Sequence, residues 1–274
     1  MRSTTRRLAL LATVLGVLAL PATAAARQVL IGSGSSAEQP ILNVLFKAYS
    51  KLHRSIAFVY TPNGGNAGVK DVQSGRSAFA VNTRPPLPSD SGTTQYKLYL
   101  DGLCVAVNPA NSLANLSVNT TKNIFLGLST SWSGIPGSNL STTIDPIGRN
   151  STAGSYTFFQ SAILGGKTQA SNVIPQTSDG LVATAIKNDA NAIGYVGLAH
   201  AGSGSGIKPL TLNGVACNAT TIKNETYPLF RYIWGVLPTA HPSVAAERFL
   251  DWLRTDHNAG RIIARAGAVP AFNK

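Results

Sequence analysis

The chain has 274 residues, of which 12% are charged and 44% hydrophobic, and its formal net charge at pH 7 is +12. This length suits one large or two modest globular domains. Lys and Arg are scattered and do not form runs with interleaved aromatic residues, which argues against a nucleic-acid partner. The positive net charge is still compatible with an anionic partner.

Residues 1–26 have the pattern of an export signal. Three arginines precede an apolar run of 13 residues, and a small-residue tail offers cleavage positions near Ala24 or Ala26. The run is shorter than the roughly 20 residues of a membrane span, so an uncleaved anchor is the less favoured alternative. We expect a soluble, periplasmic or extracellular protein whose formal charge falls from +12 to +9 when the three arginines are removed.

Strand and helix patterns alternate after the signal. "QVLIGSG" predicts a strand, and "PILNVLFKAYSKL" predicts a helix with apolar residues at helical spacing. "IAFVYT" is a second strand, "NAGVKDVQSG" a short helix that ends at Gly75, and "SAFAVNT" a third strand. This alternation indicates a parallel sheet flanked by helices.

The same pattern continues and predicts a second α/β unit. Its strands are "DGLCVAVNP", "TIDPIGR" and "AIGYVGL", and its helices lie around "NTTKNIFLG", "GSYTFFQSAILGG" and "SDGLVATAIKND". The strand "YPLFRYIWGVL" is followed by two helices separated near residues 258–260. Cys104 and Cys217 can form one disulfide in an oxidising compartment, but the sequence leaves open whether they approach within bridging distance.

The loop "GSGSSA" after the first strand fits three kinds of site. A dinucleotide site also needs an acid at the end of the second strand, which here reads "VYTPNGG", and export argues against a nicotinamide cofactor. A serine hydrolase needs Gly-x-Ser-x-Gly and a histidine base, but the motif is absent and the four histidines are isolated. We therefore predict no catalytic residue, no cofactor and no metal site.

The third kind of site is an oxyanion held by a helix N-terminus. Pro40 favours the first helical turn, which places Ser35, Ser36 and Ala37 where unpaired amides and a partial positive charge meet an anion. Two further loops, "TPNGGNAGVK" and "RNSTAGSYTFF", also put small residues between a strand and a helix. The second of them carries Arg149, whose guanidinium can bind an oxyanion bidentately.

Along nearly its whole mature length the chain resembles the phosphate-binding component of ATP-driven phosphate importers, a type II solute-binding protein. The resemblance rests on "GSGSS" before Pro40, "NAGVKDVQSG", "DGLCVAVNPAN", "LSVNTTKNIFLGLSTSW", "AIGYVGLA", "YPLFRYIWGV" and "AGRIIARAGAVP". It implies an α/β fold of two lobes, each a mostly parallel sheet flanked by helices, joined by two hinge crossover strands. The lobes would be residues 27–102 plus 231–274 and residues 103–230.

The resemblance also implies a ligand and partners. A phosphate or similar oxyanion would be clamped between the lobes of a monomer and delivered to the membrane permease of an ABC importer. The alternative is a secreted protein of the same fold that lost its ligand and serves as an interaction or surface protein.

Site residues carried over from the resemblance come from four loops: Ser35, Ser36, Ala37, Gly65, Asn66, Thr83, Arg149, Ala153, Gly154 and Ser155. Two of them depart from the family pattern. Thr83 stands where phosphate-selective members have an Asp that accepts the proton of hydrogen phosphate, and Ala153 lacks a usual hydroxyl. These departures suggest poorer discrimination between phosphate and sulfate, and Arg84 would add a cation beside Thr83.

Overall fold

The computed structural model describes residues 27–271, so the export signal lies outside the described residues. The helices are α1 (Gln39–Leu52), α2 (Gly65–Gln73), α3 (Val118–Phe125), α4 (Gly154–Ala162), α5 (Asp179–Asn188), α6 (Ala219–Lys223), α7 (Val244–Thr255) and α8 (His257–Arg265). The longer strands are β1 (Gln28–Gly34), β2 (Ile56–Thr61), β3 (Phe79–Asn82), β4 (Thr93–Val107), β6 (Asp145–Arg149), β8 (Ala192–Gly197) and β11 (Phe230–Pro238). Short strands are β5 (Asn115–Leu116), β7 (Ile174–Gln176), β9 (Lys208–Pro209), β10 (Thr211–Leu212) and β12 (Val269–Pro270).

The main sheet runs in the order β2-β1-β3-β11-β4-β8-β6-β7. β1 pairs in parallel with β2 and β3 on one side, and β6 pairs in parallel with β7 and β8 on the other. β4 joins the two sides, because its residues 93–102 pair with β11 and its residues 103–107 pair with β8. The fold is therefore the predicted two-lobed α/β arrangement with crossover strands. We call the side with β1–β3 the first lobe and the side with β6–β8 the second lobe.

The core of the first lobe is aromatic. α1 contributes Phe46 and Tyr49 from its apolar stripe, and they contact Phe58, Phe79 and Phe249 at ring-centroid distances of 4.5 to 6.3 Å. Offset and edge-on contacts of this kind add to the free energy of area burial. They fix α1, and hence the turn that precedes it, against the carboxyl end of β1.

The second lobe has its own core and a covalent link. The rings of Phe125, Phe159 and Tyr195 contact one another within it, and Phe159 stacks on Tyr195 with 4.1 Å between ring centroids. Cys104 on β4 and Cys217 before α6 form a disulfide, with 5.6 Å between their Cα atoms. The sequence had left this pairing open, and the structure establishes it.

The predicted break between the last two helices was wrong in position. The chain leaves the helix at Asp256 rather than near residues 258–260. The Asp256 carboxylate accepts hydrogen bonds from the amides of Asn258 at 2.7 Å and Ala259 at 3.1 Å, which caps α8 at its N-terminus. An Asp at the N-cap position is a stronger helix start signal than the Asn and Gly that follow it. Within residues 27–271, none of the helices is both long and apolar enough to cross a membrane.

Candidate functional site

Turns from both lobes converge at the carboxyl ends of the central strands. The turn after β1 and the turn after β3 come from the first lobe, whereas the turns before α4 and α5 come from the second. In open α/β sheets, ligands bind at the carboxyl ends of the strands, because the helices that follow the strands begin there with unpaired amides. The convergence is buried, so its polar groups must find partners inside the protein.

The turn after β1 is shaped by Gly34. Its φ is +124°, and a Cβ built there would lie 2.3 Å from the carbonyl oxygen of Val81, so only glycine fits. The amide of Ser35 donates to that carbonyl at 2.8 Å, and the Ser35 hydroxyl accepts from the amide of Glu38 at 3.4 Å. Ser36 and Ala37 are buried at the mouth of α1. The predicted small-residue turn thus places both of them in the convergence.

The side chain of Asn66, in the first turn of α2, bonds to the second lobe. Its Nδ2 donates to the Ser151 carbonyl at 2.9 Å, to the Thr157 hydroxyl at 2.8 Å and to the Ala153 carbonyl at 3.3 Å. All three acceptors belong to the second lobe, so the Asn66 side chain bridges the lobes at the rim. Gly65 lies inward, and a Cβ built there would meet Asn82 Oδ1 at 2.1 Å.

Thr83 faces the second lobe directly. Its hydroxyl lies 3.4 Å from the Ser155 hydroxyl, and its amide donates to Asn82 Oδ1 at 2.8 Å. The Asn82 side-chain nitrogen is buried and has no hydrogen-bond partner among the described residues. A buried donor of this kind is costly unless something accepts from it.

The expectation that Arg84 adds a cation beside Thr83 was wrong. Its guanidinium donates to both oxygens of Asp90 at 2.6 and 2.8 Å and to Asn66 Oδ1 at 2.6 Å. Arg84 and Asp90 are both buried, so this is a neutralised pair that fixes the loop after β3. The pairing is invisible in the sequence, since it depends on how that loop folds back.

Arg149 ends β6 and is held on several sides. Nε donates to the Gln176 carbonyl at 3.2 Å, Nη2 donates to the Thr177 carbonyl at 3.0 Å, and Nη1 is ion-paired with Asp179. Burial, together with repulsion from Arg231, lowers the pKa of Arg149 to about 10, so the guanidinium remains charged at neutral pH. A guanidinium has five N–H groups, of which these contacts use three.

The turn before α4 supplies the remaining predicted residues. Ala153 is the N-cap of α4 and offers no side-chain cap, so the first amides of the helix depend on other acceptors. Gly154 packs against the first lobe, because a Cβ built there would lie 2.2 Å from Asn82 Oδ1 and 2.7 Å from Thr83 Oγ1. The Ser155 hydroxyl accepts from Arg231 Nη1 at 2.8 Å.

Four charged residues of the convergence were missed by the sequence analysis: Glu38, Asp101, Asp179 and Arg231. Arg231 donates from Nε and Nη2 to Asp101 Oδ2 at 3.0 and 2.7 Å, and its Nη2 lies 3.7 Å from Glu38 Oε1. Burial, followed by repulsion from Asp101, raises the pKa of Glu38 well above its usual range. A signal was available for two of them, since Asp101 and Arg231 are charges flanked by apolar residues in the runs "LYLDGLCVAV" and "FRYIWGVL".

Asp179 begins α5 and touches the residues predicted to hold an anion. Its Oδ2 accepts from the Ser36 hydroxyl at 3.2 Å and is ion-paired with Arg149. Its Oδ1 accepts from the amide of Gly197 at 3.0 Å, and its own amide lies 3.3 Å from Ser36 Oγ. Asp179 therefore joins the turn after β1 to Arg149 across the two lobes.

A fold of this kind, with polar turns from two lobes meeting at the strand ends, defines a bilobal solute-binding protein. Residues 21–257 match the PBP superfamily domain, and the chain belongs to that superfamily. The phosphate-binding protein PstS of Bacillus subtilis (strain 168) is 23% identical over 244 residues, which are 87% of this chain and 79% of the relative. PstS of Staphylococcus epidermidis (strain ATCC 12228) is 26% identical over 260 residues, covering 89% and 79%.

Solved structures show the same fold. A putative phosphate ABC transporter substrate-binding protein with bound phosphate from Clostridium perfringens superposes with a TM-score of 0.83 at 20% identity, covering 89% of this chain and 99% of that one. An ABC-type phosphate transport receptor from Vibrio cholerae gives a TM-score of 0.70 at 21% identity, covering 88% and 99%. The predicted family and fold class are confirmed.

Proposed function

We propose that this protein captures inorganic phosphate, or a related tetrahedral oxyanion, between its two lobes and delivers it to the membrane permease of an ABC importer. The observation that carries the proposal is that the Ser36 hydroxyl of the first lobe and the Arg149 guanidinium of the second lobe both bind Asp179 Oδ2, so the two groups lie on either side of one oxygen. Hydroxyls, helix amides and a guanidinium are together the groups that bind phosphate in proteins. The relatives named phosphate-binding proteins support the same ligand class.

The ligand set that we propose comes from both lobes and has one further member, Asn66, at the rim: Ser35, Ser36, Ala37, Gly65, Thr83, Arg149, Ala153, Gly154 and Ser155. Asn66 would act from the rim, where it bridges the lobes, rather than on the anion. Because the convergence is buried, an anion enters only when the lobes separate, and a bound anion stabilises the arrangement that it contacts best. We place the lobes at residues 27–102 plus 231–274 and residues 103–230.

We further propose that the protein works outside the cytoplasm as a monomer and performs no bond-making step. Export follows from the signal pattern of residues 1–26, with cleavage near Ala24 or Ala26. A single chain supplies both walls of the site, so a second copy is not needed to complete it. The disulfide between Cys104 and Cys217 suits an oxidising compartment.

Isothermal titration calorimetry of the purified protein with phosphate, arsenate, sulfate and selenate tests this proposal. We expect at least one of these anions to bind, and Arg149→Ala to abolish that binding. Arg254→Ala is the matched control, because Arg254 forms an exposed ion pair with Asp251 and should leave the affinity unchanged. Failure of all four anions to bind the wild-type protein would refute the proposed function.

Arg149→Ala leaves Asp179 buried without its cation, so this variant could lose binding through unfolding alone. A second variant separates the two causes. Gly154→Ala keeps every charge but forces a methyl group against Asn82 and Thr83 of the first lobe. It should keep the circular dichroism spectrum of the wild type while weakening anion binding more than tenfold, because the lobes cannot close. Unchanged affinity in a folded Gly154→Ala variant would contradict an anion site between the lobes.

A further inference from the structure

We infer that Asp179 is an internal competitor of the anion: it holds the Ser36 hydroxyl, latches the two lobes together, and must release that hydroxyl before an anion can use it. The inference rests on the proposed function and concerns how tightly the site binds. Ser36 Oγ of the first lobe donates to Asp179 Oδ2 at 3.2 Å, and the amide of Asp179 donates to the same Oγ at 3.3 Å. The Ser36 hydroxyl therefore both donates to and accepts from one residue of the second lobe.

The competition arises because a serine hydroxyl has a single hydrogen. While Asp179 Oδ2 accepts that hydrogen, the Ser36 hydroxyl has none to donate to an anion. Arg149 is different, because two of its five N–H groups remain free after its three contacts within the second lobe. The guanidinium can hold Asp179 and an anion together, so Ser36 is the donor for which the two compete.

Asp179 is held in the position of an internal ligand. The residue is fully buried, its Oδ2 is also ion-paired with Arg149, and its Oδ1 accepts from the Gly197 amide at 3.0 Å. These two contacts orient the carboxylate toward Ser36. A hydrogen bond to a charged group is stronger than one to a neutral group, so the carboxylate competes for the Ser36 hydrogen better than an amide of the same shape would.

The bond between Ser36 and Asp179 is one of several that join the lobes through protein groups alone. Asn66 donates across the rim, and His200 Nε2 of the second lobe lies 3.1 Å from the Ser36 carbonyl oxygen. A closed arrangement that Asp179 stabilises competes with the arrangement in which an anion holds the same hydroxyl. The latch therefore lowers the apparent affinity for the anion, because part of the binding energy is spent on displacing Asp179.

Isothermal titration calorimetry of Asp179→Asn with inorganic phosphate is the first test, because the amide keeps the shape of the side chain and removes its charge. We expect this variant to bind phosphate about fivefold more tightly than the wild type, since the bond to be displaced is then neutral. Equal or weaker binding by the folded variant would overturn the inference, because that is the result if Asp179 only orients Arg149. The exposed variant Asp251→Asn is the matched control and should bind like the wild type. Binding of phosphate, arsenate, sulfate and selenate by neither protein would instead refute the proposed function.

Loss of a negative charge near the site also strengthens anion binding without any competition, so a double-mutant cycle with Ser36→Ala separates the two causes. In the wild type, Ser36→Ala removes one charged hydrogen bond from the unliganded protein and one from the complex. Phosphate affinity should then change by less than about twofold. In Asp179→Asn the unliganded bond is neutral, so Ser36→Ala should weaken phosphate binding by about fivefold. The same factor in both backgrounds would overturn the inference.

Small-angle X-ray scattering of the wild-type protein tests the latch without any substitution. We expect saturating phosphate to leave the radius of gyration unchanged, because Asp179 already joins the lobes. Contraction of the wild type on addition of phosphate would overturn the latch. This measurement decides the inference even if Asp179→Asn fails to fold because its Arg149 is buried without a counter-ion.

Discussion

Removing Arg231 should destabilise the protein more than any change at an exposed arginine. Its side chain is about 1% exposed and lies between Asp101 at 2.7 Å and Glu38 at 3.7 Å. Replacing Arg231 with Met leaves the buried Asp101 carboxylate without its cation, a change that costs about 3–5 kcal/mol of unfolding free energy. The hydrogen bond to the Ser155 hydroxyl is lost as well. We expect a loss of at least 3 kcal/mol at pH 7.

Urea denaturation followed by tryptophan fluorescence measures this loss. Arg254→Met is the matched control, because its ion pair with Asp251 is exposed and should contribute less than about 1 kcal/mol. Adding Asp101→Asn to Arg231→Met should recover part of the lost stability at pH 7, because it removes the uncompensated buried charge. A double variant no more stable than Arg231→Met would refute the reasoning.

Two further predictions concern stability. The folded protein keeps the Glu38 proton that the unfolded chain loses above about pH 4.3, because burial raises the pKa of Glu38, so wild-type stability falls as the pH rises above that value. Glu38→Gln has no such proton, and its advantage in urea denaturation should grow from pH 4 to pH 8 by on the order of 1 kcal/mol; a difference independent of pH would contradict this. The disulfide between Cys104 and Cys217 closes a separation of 113 residues, so replacing both with Ala should cost up to about 5 kcal/mol, measured by the same denaturation. Phosphate affinity should stay unchanged, and a stability loss below about 1 kcal/mol would show that chain entropy is not what the link contributes.

The regular elements could be read from the sequence because their signals are local. Apolar spacing in α1, the Gly34 turn and the small residues before α4 all act within a few residues of the structure that they determine. The fold class followed from the alternation of such elements. The disulfide could not be decided in the same way, since it depends on two segments far apart in the chain.

The charged part of the site was harder to predict because it arises from docking of the lobes. Asp179 meets Ser36 across 143 positions of sequence, and no local pattern links them. Asn66 likewise finds its partners near Thr157 only when the lobes touch. Arg231 and Asp101 carried a weaker signal, since a lone charge in an apolar strand requires a buried partner without revealing which one.

The hydrogen bonds of Asn66 at the rim have a kinetic consequence. The shorter two join the lobes through Ser151 and Thr157, which lie outside the proposed ligand set. Under the proposed function, a bound anion leaves only after these bonds break, so they lengthen its residence time, whereas the encounter rate depends on the separated lobes. The proposed permease would therefore release the ligand by breaking the Asn66 hydrogen bonds, without disturbing the groups that bind the anion.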